Sequence, residues 1–353
     1  MERKIRIVDI ARMAGVSVGT VDRVLHGRGR VSKDKREKIE SVLKEINYEP
    51  NMVARFLASG KSYEIAVLIP AYVDGEYWSL MVKGINNAVG ELQKFNFDIR
   101  YFFFDQYDKA SFDQAVNEMR RKVFDGVVVA TIFEDSVVSL SKELDRDKVP
   151  YIYIDSPIVG QGNLSYYGGD SFGSGFIAAR LMTKLINEDS DIFIFHIHSK
   201  QRAESVQMKN REAGFLDYLK KNNYRGKIHC MEMDIEDEAH AVPALKDALN
   251  EVGGVAGGIV FNSRIHNLTS VLNEIDHSLQ SKMKLIGYDT IPTNITALKQ
   301  GLVAYLLSQR PELQGYDSVK AIGNYYLFKQ IPEKKNYMPI DILIKENIDY
   351  YTH

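Results

Sequence analysis

The sequence is poor in cysteine and has no long uninterrupted apolar run. Its 353 residues include a single cysteine, Cys230, so no disulfide can form within the chain. Such cysteine usage is typical of proteins in a reducing compartment. No stretch is apolar over the length of a bilayer, and the first residues, MERKIRIVDI, lack the apolar core of a secretory signal. We therefore expect a cytoplasmic protein with no membrane partner.

Motifs of catalysis and cofactor binding are also missing. The tripeptide Gly-Lys-Ser at 60–62 copies the end of a phosphate-binding loop, but Arg55 stands where its first glycine belongs. The sequence has no H-E-x-x-H motif and no suggestive order of serine, histidine and aspartate. His196 and His198 alternate along a predicted strand and could chelate a metal, but we interpret them as a strand end near a cleft. We expect neither an enzyme nor a cofactor.

Charge is unevenly distributed along the chain. Residues 1–62 carry 14 Lys and Arg against 8 Asp and Glu, a net charge of +6, whereas the whole chain carries −2. The remaining residues therefore carry −8. A basic head on an acidic body indicates that only the head meets a polyanion.

Residues 8–31, VDIARMAGVSVGTVDRVLHGRGRV, have the pattern of two short helices, a tight turn between them and a basic loop. Gly15 lies where the chain must turn sharply, which a residue without Cβ does at no steric cost. Ser17 is a suitable N-cap for the second helix, whose apolar positions continue to Leu25. The pattern predicts a helix-turn-helix, and the second helix of such a motif lies in the major groove of DNA.

A third helix is predicted after the basic loop, with Ser32 as its N-cap and apolar residues at helical spacing from Ile39 to Ile46. Basic residues crowd its start, and beside a helix-turn-helix we interpret them as phosphate contacts rather than as a solvated face. Pro50 then begins the segment PNMVARFLASGKS, whose apolar surface is too small for a stable isolated helix. We expect it to order only against DNA or a second copy of itself.

The turn, the third helix and the segment INYEPNMVARFLASGKS together resemble the head of the lactose/galactose repressor family. The resemblance implies a homodimer whose two recognition helices read the half-sites of a palindromic operator in double-stranded DNA. It also implies a hinge helix that enters the minor groove and wedges a leucine between base pairs. The DNA-contacting residues carried over are Ser17, Val18, Gly19, Thr20, Arg23, Arg28, Arg30, Asn51 and Leu57.

Two residues of the recognition helix depart from the family pattern. Gly19 has no side chain to read a base, and it weakens its helix by about 1 kcal/mol relative to alanine. Asp22 replaces the serine that usually precedes the family arginine, and a carboxylate near phosphates is unfavourable unless it pairs with Arg23 or accepts from cytosine. We therefore expect Arg23 to carry more of the base readout.

From residue 63 onward, apolar runs alternate with amphipathic segments. Continuous apolar strands separated by helices are typical of parallel sheets covered on both faces, and these strands are too many for one doubly wound sheet. We predict an all-α head and an α/β body of two lobes, each with a doubly wound parallel sheet. Predicted strands lie at 64–70, 97–104, 126–131, 150–155, 191–197, 227–233, 257–261, 284–289 and 304–308, and predicted helices at 77–94, 172–187, 205–221 and 312–329.

This body is similar to the periplasmic sugar-binding protein fold that the repressor family carries behind its head. The resemblance implies three crossings between the lobes, near 167–170, 309–310 and 338–339, and a ligand bound between the lobes at the carboxyl ends of the strands. The expected domains are a head at 1–49, a hinge and linker at 50–62, and an effector-binding body at 63–353, with lobes at 63–169 plus 310–338 and at 170–309 plus 339–353.

Polar residues at predicted strand ends are candidates for effector contacts. Asp155 and Asp289 each end a strand, where a carboxylate suits a vicinal diol, although each could instead cap the following helix. The resemblance adds two aromatic residues that would stack on a sugar or staple a helix to its sheet, together with an arginine and a glutamine that would bind sugar oxygens. These four are Tyr77, Trp78, Arg211 and Gln309.

The tripeptide Asn-Ser-Arg at 262–264 departs from the Asn-Asp pair usual in the family. Asn262 or Ser263 is expected to replace its amide contact. Arg264 puts a positive charge where an acid is common, which favours an anionic ligand such as a sugar phosphate or a sugar acid, but a surface salt bridge explains it equally well.

Asp170 is expected to cap the helix at 172–187.

Together these features predict a transcriptional regulator, a repressor whose operator affinity is controlled by a small sugar or sugar derivative. Two alternatives are a solute-binding protein and a sugar-metabolising enzyme with an appended DNA-binding head. The basic head argues against the first alternative. The second would need a catalytic pair across the cleft, which the sequence does not reveal.

Overall fold

The computed structural model describes residues 6–25, 29–46, 60–198, 205–234, 238–252, 254–275 and 277–351. The chain divides into two compact units, Met1–Lys61 and Ser62–His353. We refer to them as the head and the body.

The described part of the head consists of three short helices around one small core. They are α1 (Ile7–Ala14), α2 (Val18–Leu25) and α3 (Lys33–Glu45). Ile10, Val21 and Ile39, one from each helix, are fully buried against one another. Gly15 ends α1 with φ of 65°, a left-handed conformation that turns the chain sharply between α1 and α2. The predicted helix-turn-helix is therefore present.

The two predicted N-caps of the head differ. The Ser17 hydroxyl accepts a hydrogen bond from the backbone N–H of Thr20 at 3.3 Å, so it caps α2. Ser32 occupies the N-cap position of α3, but its side chain makes no capping hydrogen bond, and that part of the prediction is wrong. Sequence pattern identifies the position of a cap, whereas the side-chain rotamer decides whether the bond forms.

The body alternates strands with helices along most of its length. The strands are β1 (Tyr63–Pro70), β2 (Phe97–Phe104), β3 (Gly126–Ala130), β4 (Tyr151–Asp155), β5 (Ser165–Gly168), β6 (Ile192–His198), β7 (Ile228–Asp234), β8 (Ala256–Val260), β9 (Met283–Tyr288), β10 (Tyr305–Ser308), β11 (Asn336–Tyr337) and β12 (Asp341–Leu343). The helices are α4 (Tyr77–Leu92), α5 (Lys109–Met119), α6 (Glu134–Asp147), α7 (Ser171–Leu185), α8 (Val206–Lys221), α9 (Glu238–Glu251), α10 (Ile265–Asn273), α11 (His277–Gln280), α12 (Pro292–Lys299) and α13 (Pro311–Phe328).

The described strands form two six-stranded sheets. The first sheet has the order β11-β5-β4-β3-β1-β2 and the second the order β12-β10-β9-β8-β6-β7. The chain passes from the first sheet to the second after β5 and again between β11 and β12. After β10 it returns to the first lobe, where α13 packs on α4. The carboxyl ends of the parallel strands are where ligands bind in open α/β sheets.

All nine predicted strands are present, each within one residue of its predicted ends. The prediction of wholly parallel sheets is wrong at one edge, because β12 pairs antiparallel with β10. The strands β5, β11 and β12 were not predicted. They have only two to four residues each, too few to show a hydrophobic period.

Glycine allows the helices of each lobe to approach closely. A Cβ on Gly84 of α4 would overlap the backbone of Glu312 on α13. In the second lobe, a Cβ on Gly175 of α7 would overlap the backbone of Arg211 on α8. Both contacts are with backbone, which cannot move aside as a flexible side chain can. No described helix is long and apolar enough to cross a membrane.

We expect Gly84→Ala to destabilise the first lobe by about 2 kcal/mol, because overpacking a tight contact forces backbone shifts. Urea unfolding followed by the emission of Trp78, the only tryptophan, measures this effect. The matched control is Gly90→Ala in the same helix, where nothing lies within 4 Å of the new methyl group. This control should gain up to about 1 kcal/mol from helix propensity. Equal effects of the two substitutions would contradict the close-packing account.

Candidate DNA-contacting helix and effector cleft

The outer face of α2 carries the predicted base-contacting residues. Ser17, Val18, Gly19 and Arg23 are exposed, and Thr20 is half-buried, with its hydroxyl 2.8 Å from that of Ser17. Val21, on the opposite side of the helix, is fully buried in the head core. The helix therefore buries one apolar face in the head core and exposes most of the predicted base-contacting residues on the other.

The basic loop and hinge are only partly described. Arg30 is exposed. Arg28, Asn51 and Leu57 lie outside the described residues, so their predicted contacts with DNA stay predictions. Among the described loop residues, Gly29 has φ of 70° and lies close to the side chain of Arg23.

Two buried carboxylates lie at facing strand ends in the body. Asp155 ends β4 of the first sheet and Asp289 follows β9 of the second, and they are only 4% and 3% exposed. Both have positive φ, 80° and 67°, in the left-handed region that aspartate tolerates better than most residues. Neither caps a helix: Asp155 accepts from Ser156 and Gln207, and Asp289 accepts from Gln309.

Burial raises the pKa of Asp155 and of Asp289 to about 6 from an ordinary value near 3.8. The positive charge of Arg211 opposes that rise at both carboxyl groups. Two carboxylates and one guanidinium therefore share a region from which water is largely excluded. Such an arrangement is costly for folding and is typical of functional sites.

Arg211 is positioned by α8 and is 2% exposed. Its Nη1 donates to the carbonyl oxygen of Phe261 at 2.6 Å, and its guanidinium lies 4.1 Å from the ring centroid of Tyr288. Its Nε has no hydrogen-bond partner among the described residues. The side chain is thus fixed in place while its Nε–H stays without a partner among the described residues.

Gln207 connects the two lobes through hydrogen bonds. It was not among the cleft residues predicted from the sequence. Its Nε2 donates to Oδ1 of Asp155 at 3.2 Å and to Oε1 of Gln309 at 3.0 Å. Gln309 in turn lies with its Nε2 3.5 Å from Oδ1 of Asp289. The sequence pattern that could have revealed Gln207 is its spacing, because it precedes the predicted cleft residue Arg211 by one helical turn and lies on the same face of α8.

Several buried polar atoms around these residues lack hydrogen-bond partners within the described ranges. They include Arg211 Nε and the hydroxyl groups of Tyr77, Ser171 and Thr290. Ser171, Arg211 and Gln309 line a cavity of about 10 Å³, on the order of the space for one water. Buried polar groups are normally satisfied, so unsatisfied ones gathered at one place indicate a site that a polar molecule completes.

Tyr77 and Trp78 begin α4 and are buried, with their rings edge to face at a centroid distance of 5.0 Å. Burial raises the pKa of Tyr77, and the negative charges of Asp155 and Asp289 raise it further. Because these charges act on the Tyr77 hydroxyl, the hydroxyl lies near the cleft residues. Trp78 instead donates from Nε1 to Oε1 of Gln106 at 3.1 Å. It therefore ties α4 to the loop after β2.

The Asn-Ser-Arg tripeptide forms the turn between β8 and α10. Nδ2 of Asn262 donates to the carbonyl of Ile197 at 2.9 Å, and the carbonyl of Ser263 accepts from Asn294. Arg264 forms no surface salt bridge with the described residues: its Nη2 donates to the hydroxyl of Tyr107 in the first lobe. One end of the guanidinium thus contacts a neutral partner from the other lobe.

His196 and His198 belong to an ionic cluster on the second sheet. Nε2 of His196 lies 2.9 Å from Glu212 and its Nδ1 lies 3.0 Å from Glu232. The hydrogen bond to Glu212 is the main cause that raises the pKa of His196 to about 9. His196 is therefore a cation at neutral pH that connects β6, β7 and α8. No set of three or more potential metal ligands with suitable geometry exists among the described residues.

Asp170 caps α7, as predicted. Its Oδ1 accepts from the backbone N–H of Gly173 at 2.9 Å. The cap lies directly after β5, where the chain enters the second lobe. It thus fixes the start of the helix that carries Ser171.

Two family models match this chain. A periplasmic binding protein domain matches residues 65–330, and the lacI family of bacterial regulatory proteins matches residues 6–51. The two matches correspond to the described body and to the head with part of the hinge. Together they account for most of the sequence.

The chain is also similar to individual proteins, over differing shares of its length. The chain is 25% identical to the ribose operon repressor of Halalkalibacterium halodurans over 93% of this chain and 91% of that protein. It is 29% identical to catabolite control protein A of Streptococcus mutans, over 62% of this chain and 61% of that one. A crystal structure from Bacteroides fragilis, described as a LacI transcriptional regulator, is 35% identical with a TM-score of 0.75, covering 83% of this chain and 100% of that one.

We expect Asp289→Asn to stabilise the body above pH 6 by an amount on the order of 2 kcal/mol, since it removes a buried charge. The folded pKa of about 6 exceeds the ordinary 3.8, so between these values the folded state binds more protons than the unfolded state. The contribution of Asp289 to wild-type stability should therefore fall as pH rises from about 4 to about 6, and the gain from Asn should vanish near pH 4.

Urea unfolding at pH 4 and pH 7.5 measures this difference. Asp74→Asn makes the same chemical change at an exposed residue after β1 and serves as the control. A stability gain that is independent of pH, or one shared by the control, would contradict the assignment of a buried, destabilising carboxylate.

Proposed function

The chain belongs to the LacI family of bacterial regulatory proteins and is a DNA-binding regulator, and from that premise we propose how it works. It represses transcription in the cytoplasm as a homodimer on a palindromic operator. A small sugar-like effector binds between the lobes of the body and sets the operator affinity. The ribose operon repressor and catabolite control protein A are regulators, and we propose that this body binds its effector without converting it and uses no cofactor.

The observation that carries the effector proposal is the group of polar atoms around Arg211. Two buried carboxylates accept hydroxyl hydrogen bonds, and Arg211 Nε and the hydroxyl of Ser171 are left without partners within the described ranges. Each hydroxyl group of a polyhydroxylated molecule is both a donor and an acceptor, so such a molecule can satisfy both sets. An apolar ligand would leave all of them unsatisfied at a cost of about 1–3 kcal/mol for each group.

The charges of the cleft favour an uncharged effector. Among the buried groups of the cleft, Asp155 and Asp289 outnumber Arg211, whereas Arg264 is only half-buried and lies at the rim, where it contacts Tyr107. A phosphate or carboxylate would therefore meet more negative than positive charge in a region of low dielectric. We propose an uncharged sugar, and the ribose operon repressor among the relatives makes D-ribose the first compound to test.

A thermal-shift screen of the whole protein with D-ribose, other uncharged monosaccharides, D-ribose 5-phosphate and D-ribonate tests this proposal. Binding to the folded state raises the unfolding temperature by mass action, and we expect shifts from uncharged sugars only. Ser171→Ala should keep the stability of the free protein, since its hydroxyl has no partner among the described residues, but should reduce the shift at least severalfold.

A larger shift from the phosphate or the acid would contradict the uncharged class. Coupling is tested separately by measuring operator affinity with and without a sugar that binds. Coupling requires unequal preference of operator and sugar for two states of the protein, so unchanged operator affinity would overturn the regulatory mechanism.

For the head, we expect Arg23→Ala to weaken binding to the cognate operator by about 10- to 100-fold while changing affinity for random DNA little. A bidentate contact with a base is worth about 1–3 kcal/mol of discrimination. Arg30→Ala is the contrasting variant, because removing a phosphate-binding side chain from the basic loop should weaken binding to both DNAs alike. Titrations of both variants on both duplexes at one salt concentration distinguish the roles, and equal losses of affinity on both DNAs for Arg23→Ala would refute base readout.

A further inference from the structure

One side-chain contact spans the two lobes at the rim of the cleft. Nη2 of Arg264, in the turn after β8, donates to the hydroxyl of Tyr107, in the turn after β2. The guanidinium carbon also lies 5.5 Å from the centroid of the Tyr107 ring. The hydroxyl and the ring of Tyr107 therefore both interact with the charged guanidinium, which makes the contact stronger than an ordinary exposed hydrogen bond.

Both partners are held in place by their own lobes. The backbone N–H of Tyr107 donates to Oδ1 of Asp105 at 2.9 Å, and the adjacent Gln106 accepts from Trp78 of α4. On the other side, the backbone N–H of Arg264 donates to Oδ1 of Asn262 at 3.0 Å. The contact therefore joins two side chains whose turns are each held by local hydrogen bonds.

The strand order shows where the contact between Tyr107 and Arg264 lies relative to the crossings between the lobes. The chain crosses between the lobes beside β5, β10 and β11, whereas Tyr107 follows β2, the edge strand at the opposite side of the first sheet. Asp155 ends β4, three strands from β2, a separation of about 14 Å at the usual strand spacing. On the first lobe, the crossings lie at one end of the cleft and Tyr107 lies at the other. On the second lobe, Arg264 follows β8, a central strand beside β9, and its side chain reaches across to the β2 edge of the first lobe.

A second approach between the lobes lies near the same rim. A Cβ on Gly75, in the loop after β1, would lie 3.8 Å from Pro292 at the start of α12. Glu76 and Asp105 also lie close enough to Tyr107 to affect its pKa. The rim on the first lobe is therefore acidic, which complements the guanidinium brought by the second lobe.

We propose that Tyr107 and Arg264 form a gate that closes the cleft beside the β2 edge of the first lobe and limits the effector to a single sugar ring. The proposal rests on the cleft being the effector site. A second ring, or a substituent reaching toward the rim, would have to break the charge-assisted contact to fit. Tyr107 and Arg264 are therefore specificity-determining residues, although the unsatisfied polar atoms lie elsewhere in the cleft.

Quenching of Trp78 fluorescence by acrylamide tests the gate without any effector. Trp78 is the only tryptophan, is 5% exposed and is bonded to the residue next to Tyr107. We expect weak quenching in the wild type and a severalfold higher quenching constant in Arg264→Ala and in Tyr107→Ala. Tyr107→Phe, which keeps the ring and removes the hydroxyl, should give an intermediate value.

The matched control is Arg120→Ala, which breaks the ion pair of Arg120 with Glu143 inside the first lobe. It should leave quenching unchanged, and circular dichroism confirms that each variant is folded. Wild-type quenching as strong as that of Arg264→Ala, or an equal rise in the control, would overturn the gate.

The size limit is tested by screening the same variants with D-ribose and with the disaccharides maltose and cellobiose. The gate predicts that the wild type gives no thermal shift with either disaccharide, and that any disaccharide binding appears only in Arg264→Ala or Tyr107→Ala. A wild-type shift with a disaccharide would refute the size limit. Absence of binding by any sugar would count against the proposed effector class, whereas the quenching result would still decide whether the gate exists.

Discussion

The body is organised around three ionisable groups kept out of water between its sheets. Asp155 and Asp289 lie at strand ends with left-handed backbone, and both are within electrostatic reach of Arg211. Burying charges is unfavourable unless they are paired and hydrogen-bonded, and here the pairing is incomplete. Close helix packing through glycine and the parallel register of the strands hold these groups together despite that cost.

The incomplete pairing of these buried polar groups also bears on how a ligand could regulate the protein. Unsatisfied atoms at the junction of the lobes give a polyhydroxylated molecule interactions that depend on how the lobes are placed. A ligand shifts a conformational equilibrium only by its difference in affinity between two states. The hydrogen bonds across the cleft, such as Gln207 with Asp155 and Arg264 with Tyr107, belong to one arrangement of the lobes and would break if the lobes separated.

Most strands of the body were predictable from the sequence, whereas several side-chain contacts in the body were not. The strands ending at Asp155 and Asp289 were predictable because each is a continuous apolar run closed by a polar residue. Gln207 was missed because its role depends on Asp155 and Gln309, which are distant in sequence. Arg264 suggested an anionic ligand or a salt bridge, and the structure gives it Tyr107 instead, since the turn after β2 lies opposite it across the cleft.

The sequence by itself determined the helix-turn-helix, the α/β body and the strand-end carboxylates, because periodicity, glycine turns and strand composition are local properties of the chain. Only the tertiary structure decided which polar groups face one another, which of them remain unsatisfied and where the lobes touch. Those properties depend on pairs of residues more than a hundred positions apart, such as Tyr107 with Arg264 and Gln207 with Gln309. Local pattern carries no information about such pairs until the two sheets are placed against each other.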